Sequence, residues 1–431
     1  MRKLAYLAQA LRATLIPDTW QTLEHCDVML VRHDWNCGYT YDGKAYAQLS
    51  DSFGELFGKR GLVTRSVARP YSRLIGALAY GLPVSFNRVA FINSLLRRIL
   101  WVLKDRTYST EWNNKRNQDI WCKILERAKP RYVIGIQPDV GLCRAGKMKK
   151  IPVYDLQHGV INDDHNWYGK KFRIDTPPSD LPDGFLCWDE PSAMALRKWV
   201  PDKGIDVRII GNPWFMRFSK MDQADKLVQD VINTGRIFNN EKITILVSLQ
   251  WGLHEFYYKN VKFNGVIVDA LEQVILETAG DYNWLLRLHP VQLRGSEKEK
   301  ALHYLAHTFG YLTSVEWHKS SELPLPIVLQ QTDLHITDMS TVVIEAAWMG
   351  LQSALLNNNI CPGGSLEKMY EHERSLGLAT VLPQDVHSIK RWIEDALPKR
   401  NSELILCDYS NALNEFIEGM KSFPAKAQKY L

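Results

Sequence analysis

Residues 332–357, TDLHITDMSTVVIEAAWMGLQSALLN, read as strand, polar turn, helix, glycine stop and strand. The apolar run Leu334–Thr337 is strand-length. The pattern then switches to helical spacing over 341–349, and Ser353–Leu356 is a second short apolar run. Ser340 stands where an N-cap is needed and Gly350 where a helix ends. Two strands joined through a helix belong to a parallel sheet, so this stretch predicts an α/β architecture.

The same alternation extends in both directions. Upstream, Ile243–Ser248, Trp284–Leu288 and Val315–Trp317 read as strands, with helices near 265–279 and 297–307; downstream a helix falls near 386–396. A polar stretch from Gly211-Asn212-Pro213 to about Glu241 separates this series from an earlier one. There the strands are Asp27–His33, Leu62–Ser66, Tyr132–Gln137, Val153–Leu156, Gly184–Trp188 and Val207–Ile210, with helices near 46–60, 88–104, 110–129 and 190–199. Two successive α/β units follow. At 431 residues and 45% hydrophobic, the chain is long and apolar enough for two or three packed domains.

Seven cysteines without a C-x-x-C pair fit neither a disulfide framework nor a zinc cluster, which points to a reducing cytoplasm. The N-terminal apolar run ends at Arg12 with no cleavage site, so no secretory signal is expected, and the longest uncharged apolar stretch, Leu74–Asn87, is shorter than the roughly 18–20 residues of a bilayer span. The net charge of +5 is uneven: residues 61–150 hold 18 Lys/Arg against 5 Asp/Glu. Within them, 72–106 mixes Leu, Ile, Phe and Trp with Arg73, Arg88, Arg97, Arg98, Lys104 and Arg106, as in a segment lying on an anionic membrane or grasping an anionic acceptor. Packed amphipathic helices with a solvated basic face give the same pattern. No nucleic-acid motif accompanies the charge, so no nucleic-acid partner is expected.

Ligands of open α/β sheets bind beyond the carboxyl ends of the strands, and the residues there are polar. Arg287, His289 and Pro290 close one strand; a guanidinium and an imidazole both donate to phosphate oxygens. Ser340 and Thr341 open a helix whose free N–H groups favour an anion, and Glu345 lies four residues on, about 6 Å along the axis, a reach from phosphate to ribose hydroxyls. Ser248, Gln250 and Gly252 follow another strand. In the first series a strand runs into Gln157-His158-Gly159, where glycine allows close backbone approach and His158 is a donor or general acid/base. Gly211 and Asn212 follow the last strand. Asp163, Asp164 and His165 raise the question of a metal, but adjacent loop aspartates are ordinarily turn formers, and no metal is expected.

Taken in order, Q-H-G, G-N-P, a strand-end S-x-Q, R-x-H-P and D-x-S-T-x-x-x-E resemble bacterial GT-B glycosyltransferases of the capsule and lipopolysaccharide type. The nearest are CMP-sugar-dependent Kdo and sialic acid transferases and the related CDP-glycerol polyol-phosphate transferases. The resemblance spans roughly residues 130–360 and specifies the superfamily, not one family. It implies an α/β fold of two Rossmann-like domains facing across a cleft. Residues 1–213 would form the acceptor-side domain, carrying the basic surface 72–106; residues 214–400 would bind the nucleotide sugar; residues 401–431 would be C-terminal helices returning toward the first domain. It further implies that His289 and Ser340/Thr341 contact the donor phosphate, that Glu345 and the Ser248–Gly252 turn line the nucleotide, and that His158 faces the cleft that Gln157, Gly159, Gly211 and Asn212 line.

No D-x-D occurs, so metal-assisted departure of a diphosphate is not expected, and the E-x7-E pattern of many retaining GT-B enzymes fails at Thr337 and Ser353. Inversion with a protein general base follows as the expectation. Asp34 is the first choice and Asp42 the second, both in RHDWNCGYTYDG (32–43). The expected protein is a metal-independent, cofactor-free inverting transferase. It would move Kdo or a sialic-acid-like sugar from a CMP donor to a surface glycan or lipid-linked glycan, peripherally on the cytoplasmic face of the inner membrane. A polyol-phosphate transferase, a UDP-sugar 2-epimerase and a non-catalytic assembly scaffold are the alternatives.

Overall fold

The computed structural model describes residues 14–219, 222–253, 258, 266–397 and 409–422. The chain divides into two units, Met1–Met216 with Asp408–Leu431, and Arg217–Cys407.

The first unit contains β1 (Val28–Arg32), β2 (Tyr39–Tyr41), β3 (Lys44–Tyr46), β4 (Thr64–Ala68), β5 (Tyr132–Gly135), β6 (Val153–Leu156), β7 (Gly184–Cys187) and β8 (Asp206–Ile209). Six of these form a parallel sheet in the order β4-β1-β5-β6-β7-β8. Being parallel, it is covered on both faces, which is why its inner strands are nearly continuous apolar runs. Met29 and Val31 of β1 pack with Phe86, Trp121, Ile124 and Leu142. Leu30 points the other way, its Cδ1 so close to Gly54 of the helix Gln48–Lys59 that an added Cβ would lie 3.1 Å away. A second cluster around Phe185, Leu196 and Trp199 fills the far end of the sheet.

The second unit contains β9 (Thr244–Ser248), β10 (Asn283–Arg287), β11 (Val315–Glu316), β12 (Leu334–Thr337), β13 (Gln352–Leu355) and β14 (Ala379–Val381). They form a parallel sheet in the order β11-β10-β9-β12-β13-β14. Its core joins Ile245, Val247, Trp284, Leu286 and Ile336 to the helices Asp269–Thr278, Gly295–Phe309 and Val386–Ala396. Each unit is therefore a Rossmann-like parallel sheet flanked by helices, as the alternation of strand and helix patterns predicts.

Several elements escape the sequence pattern, among them the helices Pro213–Ser219 and Lys226–Ile232 in the stretch read as polar. The β2–β3 hairpin turns at Asp42-Gly43, both at positive φ (49° and 71°), the conformation of a two-residue hairpin turn for which Asp-Gly is suited. β14 is three residues long, and the helix Val140–Lys149 is capped by Asp139, which accepts from Leu142 N at 3.1 Å. The helix Ser410–Ser422 packs on the first unit: Arg60 meets Glu418 at 3.1 Å and Asn414 at 2.7 Å, and Phe416 stacks edge-on with Tyr154. Of the segment 401–431 expected to form C-terminal helices, 401–408 and 423–431 lie outside the described residues.

Candidate functional site

In the second sheet the chain runs from β9 outward through β10 and β11, then returns to the other side of β9 as β12, β13 and β14. The switch point lies between β9 and β12, and the loops beyond the carboxyl ends of these strands are where such folds take ligands. Ser248 pairs with both Arg287 and Thr337, so two of the expected positions, Ser248 and Arg287, share one level of the sheet with Thr337.

Ser248 is not a mouth residue. Its Oγ lies 2.9 Å from His335 Nε2, its carbonyl accepts from Thr337 Oγ1 at 2.8 Å, and it is buried. His335 also meets Ser353 Oγ at 2.9 Å, and burial pushes its imidazole down to about 3, so it is a neutral bridge between strands. Gln250 ties loops together: its Oε1 accepts from Met339 N at 2.8 Å and its carbonyl from Gln292 Nε2 at 3.5 Å. Gln292 in turn accepts from His289 N at 2.8 Å. His289 Nδ1 accepts from Val291 N at 3.2 Å, so the neutral ring carries its proton on Nε2. Pro290 starts the short 3-10 helix that His289 caps, and Gly252 holds a turn at φ 81°.

The helix after β12 starts one residue later than expected, at Val342. Thr341 precedes it without a side-chain cap, and Ser340 Oγ lies 3.4 Å from Val342 N. The intervening loop is braced from below, because Asp338 accepts from Asn357 Nδ2 at 2.7 Å and from the Tyr258 hydroxyl, while Tyr370 OH donates to Met339 O at 2.8 Å. Burial pushes Asp338 up to about 6.

Arg287, read from sequence as a phosphate ligand, is turned to another use. Its guanidinium donates to the carbonyls of Ser320 and, at 2.8 Å, Leu323, which anchors that loop under the sheet edge. Burial lowers Arg287 to about 10, the Glu345 charge opposing, and raises Glu345 to about 7, Arg287 opposing. The two sense each other's field without an ion pair. Among the described residues the half-buried Glu345 carboxylate makes no hydrogen bond, so it is available to a donor from outside the fold.

The first sheet has the same logic: β1 runs outward to β4, the chain returns to the other side as β5, and the switch point lies between β1 and β5. Gln157 is buried; its Oε1 accepts from Trp188 N at 2.7 Å, and its Nε2 donates to Gly159 O and Ser192 Oγ at 2.9 Å each. It is a bracket that fixes the turn on either side of His158, with Gly159 at φ 83°. Burial lowers His158 to about 4, with His165 nearby adding to the effect. His33, directly after β1, is lowered to about 3 by burial, then by Arg69 and His158.

Other expected positions serve the fold. Asp42 is the first residue of the exposed hairpin turn, which accounts for it without catalysis. Asp34 Oδ1 accepts from Ser72 Oγ at 2.5 Å and Oδ2 from Arg73 N at 3.3 Å, pinning the loop that follows β4. Asn212 is buried and accepts from Trp214 and Phe215 N at 3.1 Å each; Gly211, at φ 73°, has no room for a Cβ because Met216 Sδ would lie 2.3 Å from it. This pair starts the helix Pro213–Ser219 and does not line an open space. Asp163 pairs with Lys198 at 2.7 Å, and His165 Nδ1 accepts from Trp167 N at 3.1 Å, so they do not converge. Among the described residues no group of three or more His, Cys, Asp or Glu is placed to hold a metal ion.

No protein-family model matches the chain, and no curated protein matches its sequence. Solved structures do match along nearly the whole length. UDP-GlcNAc 2-epimerase from Methanocaldococcus jannaschii, in complex with UDP-GlcNAc and UDP, aligns with TM-score 0.56 at 11% identity, covering 91% of this chain and 99% of that one. The Neisseria meningitidis enzyme bound to UDP-GlcNAc gives 0.54 at 13%, with coverage of 91% and 99%. The wall teichoic acid polymerase TagF gives 0.55 at 12%, with coverage of 96% and 92%. At such identities the likeness establishes the fold, a GT-B-like pair of parallel-sheet α/β domains.

Proposed function

We propose that the chain is a nucleotide-sugar-dependent inverting glycosyltransferase whose second unit binds the donor and whose first unit binds a glycan or lipid-linked glycan acceptor. The observation that carries this reading is the half-buried carboxylate of Glu345, without a hydrogen-bond donor among the described residues, at the switch point of the second sheet. A carboxylate with no donor is costly unless a ligand supplies one, and ribose hydroxyls are such donors. His289, with its proton on Nε2, offers the phosphate a donor from the adjacent loop, and Ser340 and Thr341 add hydroxyls from the next. The absence of D-x-D favours departure of the nucleotide without metal, and the sequence resemblance favours a CMP-linked sugar.

A thermal-shift panel of CMP, CDP, UDP, GDP and dTDP tests the donor, since a ligand of the native state raises apparent stability. His289→Ala is expected to weaken the best nucleotide by about 2–3 kcal/mol, as for loss of a charge-assisted hydrogen bond. Glu345→Gln is expected to penalise ribonucleotides more than their 2′-deoxy analogues. Unchanged affinity in both variants would remove the donor site from this place.

The epimerase reading keeps support from the structural neighbours, which are named as acting on UDP-GlcNAc. It predicts conversion of a UDP-sugar with no acceptor present. Polyol-phosphate transfer, suggested by the polymerase neighbour, predicts release of CMP from CDP-glycerol. The helix Asn87–Leu103 favours a membrane-bound acceptor, which an epimerase does not need. Ile92, Leu95, Leu96, Ile99, Val102 and Leu103 are exposed, Val102 to 86%, at helical spacings of three and four, and Arg97, Arg98, Lys104 and Arg106 flank them. No helix among the described residues is long and apolar enough to cross a membrane, so this face suits a peripheral site on an anionic leaflet. Arg97→Glu with Arg98→Glu is expected to weaken binding to phosphatidylglycerol-containing vesicles roughly thirtyfold, at ~1 kcal/mol per basic residue, with added salt weakening the wild type in the same direction. Co-sedimentation that ignores both changes would overturn the membrane assignment.

A further inference from the structure

Arg69 follows β4, its N–H donating to Arg32 O at 3.1 Å, which sets it at the carboxyl edge of the first sheet next to His33 on the neighbouring strand. Its side chain makes no hydrogen bond or ion pair among the described residues. The nearest carboxylates feel its charge, but their oxygens are engaged elsewhere. Asp139 accepts from Leu142 N and Trp121 Nε1, both at 3.1 Å. Asp155 accepts from Gln137 N at 2.8 Å and Trp167 Nε1 at 2.7 Å. A second guanidinium acts on Asp155 as well: Arg173 lies over the Trp167 ring at 4.5 Å, with buried Nε and NH2 unpartnered. Positive charge and hydrogen-bond donors therefore outnumber their partners around the β1–β5 switch point.

Native proteins seldom leave such groups unmet unless something else meets them. A guanidinium presents a planar fork of donors matched to two oxygens of a phosphate or carboxylate, and an imidazole beside it adds a third point of contact. We infer that Arg69, with His33 and His158 beside it, forms an oxyanion-binding site of the first unit. It takes a phosphate or carboxylate group of the acceptor and so places the acceptor's hydroxyl at His158. Assignment of the oxyanion to an acceptor rests on the transferase reading; the site itself does not. An anion here also opposes the desolvation that holds the His158 imidazole neutral, and so strengthens that residue as a base once acceptor is bound.

The test is thermal stability of the full chain in inorganic phosphate and in glucuronate, each against sodium chloride at equal ionic strength. His289→Ala serves as the background that removes phosphate binding at the donor site. At least one of the two anions is expected to stabilise wild type and His289→Ala beyond chloride, and the larger response identifies the group. Arg69→Gln should weaken that response at least tenfold while the anion-free protein is no less stable than wild type, because the arginine satisfies nothing in the fold. Arg69→Lys keeps the charge, loses the fork and should fall between them, which holds the test open if the glutamine variant folds poorly. Lack of an oxyanion-specific rise in wild type, a full response in Arg69→Gln, or a well-folded but less stable Arg69→Gln overturns the site. Nucleotide shifts recorded on the same proteins separate the readings: loss of all nucleotide binding with the oxyanion response intact removes the donor assignment alone.

Discussion

Replacement of His158 by alanine is expected to lower turnover by about 10²–10⁴-fold, the range for loss of a positioned general base, while nucleotide affinity stays that of wild type. Three features single it out among the residues that the sequence offered for this role. Asp42 sits in an exposed hairpin turn and Asp34 is occupied by Ser72 and Arg73, whereas His158 stands in a turn fixed by the buried Gln157 and a left-handed Gly159. Burial lowers its pKa to about 4, so the ring is unprotonated at neutral pH and able to accept a proton. Protonation disables a base, so kcat/KM should stay level from pH 8 to about 5 and fall below that as the ring charges. The same shift stabilises the fold above the unfolded histidine value of about 6.5 and loses that contribution as pH falls toward 4. Single-turnover transfer with a nucleotide titration decides the matter. Undiminished transfer by His158→Ala would return the base to Asp34.

The sheets were legible because parallel strands buried on both faces must be apolar throughout, and runs such as VMLV at 28–31 and ILVS at 245–248 have few other uses. The polar residues beyond the strands were legible as a group, but not their division of labour. Ser248, Gln157 and Asn212 are as polar as His158, yet each is consumed by groups brought from 30 or more residues away or by the helix it starts. Arg69 was missed for a reason of register. Reading β4 as Leu62–Ser66 places the strand end two residues early, and the observed Thr64–Ala68 moves Arg69 to the edge where ligands bind. Glu345 was singled out for its spacing from Thr341; its counter-field comes from Arg287, 58 positions earlier, which no local pattern encodes. YTYDGKAY carries the Asp-Gly hairpin signal, and the same Asp42 also reads as a carboxylate at a strand end.

The largest loss of stability is expected from Arg32→Met, at about 3–5 kcal/mol, the range for breaking a buried ion pair on one side only. Arg32 ends β1 and is 2% exposed. Its NH2 lies 2.9 Å from Asp51 Oδ2 and 3.1 Å from Ala45 O, and NH1 donates to Tyr80 O, so one side chain joins the strand to the first-unit helix, the hairpin and the loop after β4. Methionine fills similar space but leaves Asp51 with only Ala47 N, at 2.7 Å, as a donor among the described residues. Burial already pushes Asp51 up to about 7, with Arg32 and the Ala47 N–H opposing. A carboxyl whose folded pKa exceeds its unfolded value of about 3.9 gives most stability below that value and loses it as pH rises through the folded pKa. Without Arg32 the folded pKa rises further, so the deficit of Arg32→Met should be larger at pH 8.5 than at pH 5.5, where Asp51 protonates and ceases to be a buried charge. Urea unfolding at the two pH values measures this. Asp51→Leu added to Arg32→Met should recover much of the loss, because an apolar pair of similar volume removes the stranded charge. An equal deficit at both pH values, or no recovery in the double variant, would show that Arg32 acts through its carbonyl partners instead. His33 and Arg69 are the next residues along these two paired strands, so the ion pair that secures β1 also fixes the edge on which the oxyanion site is built.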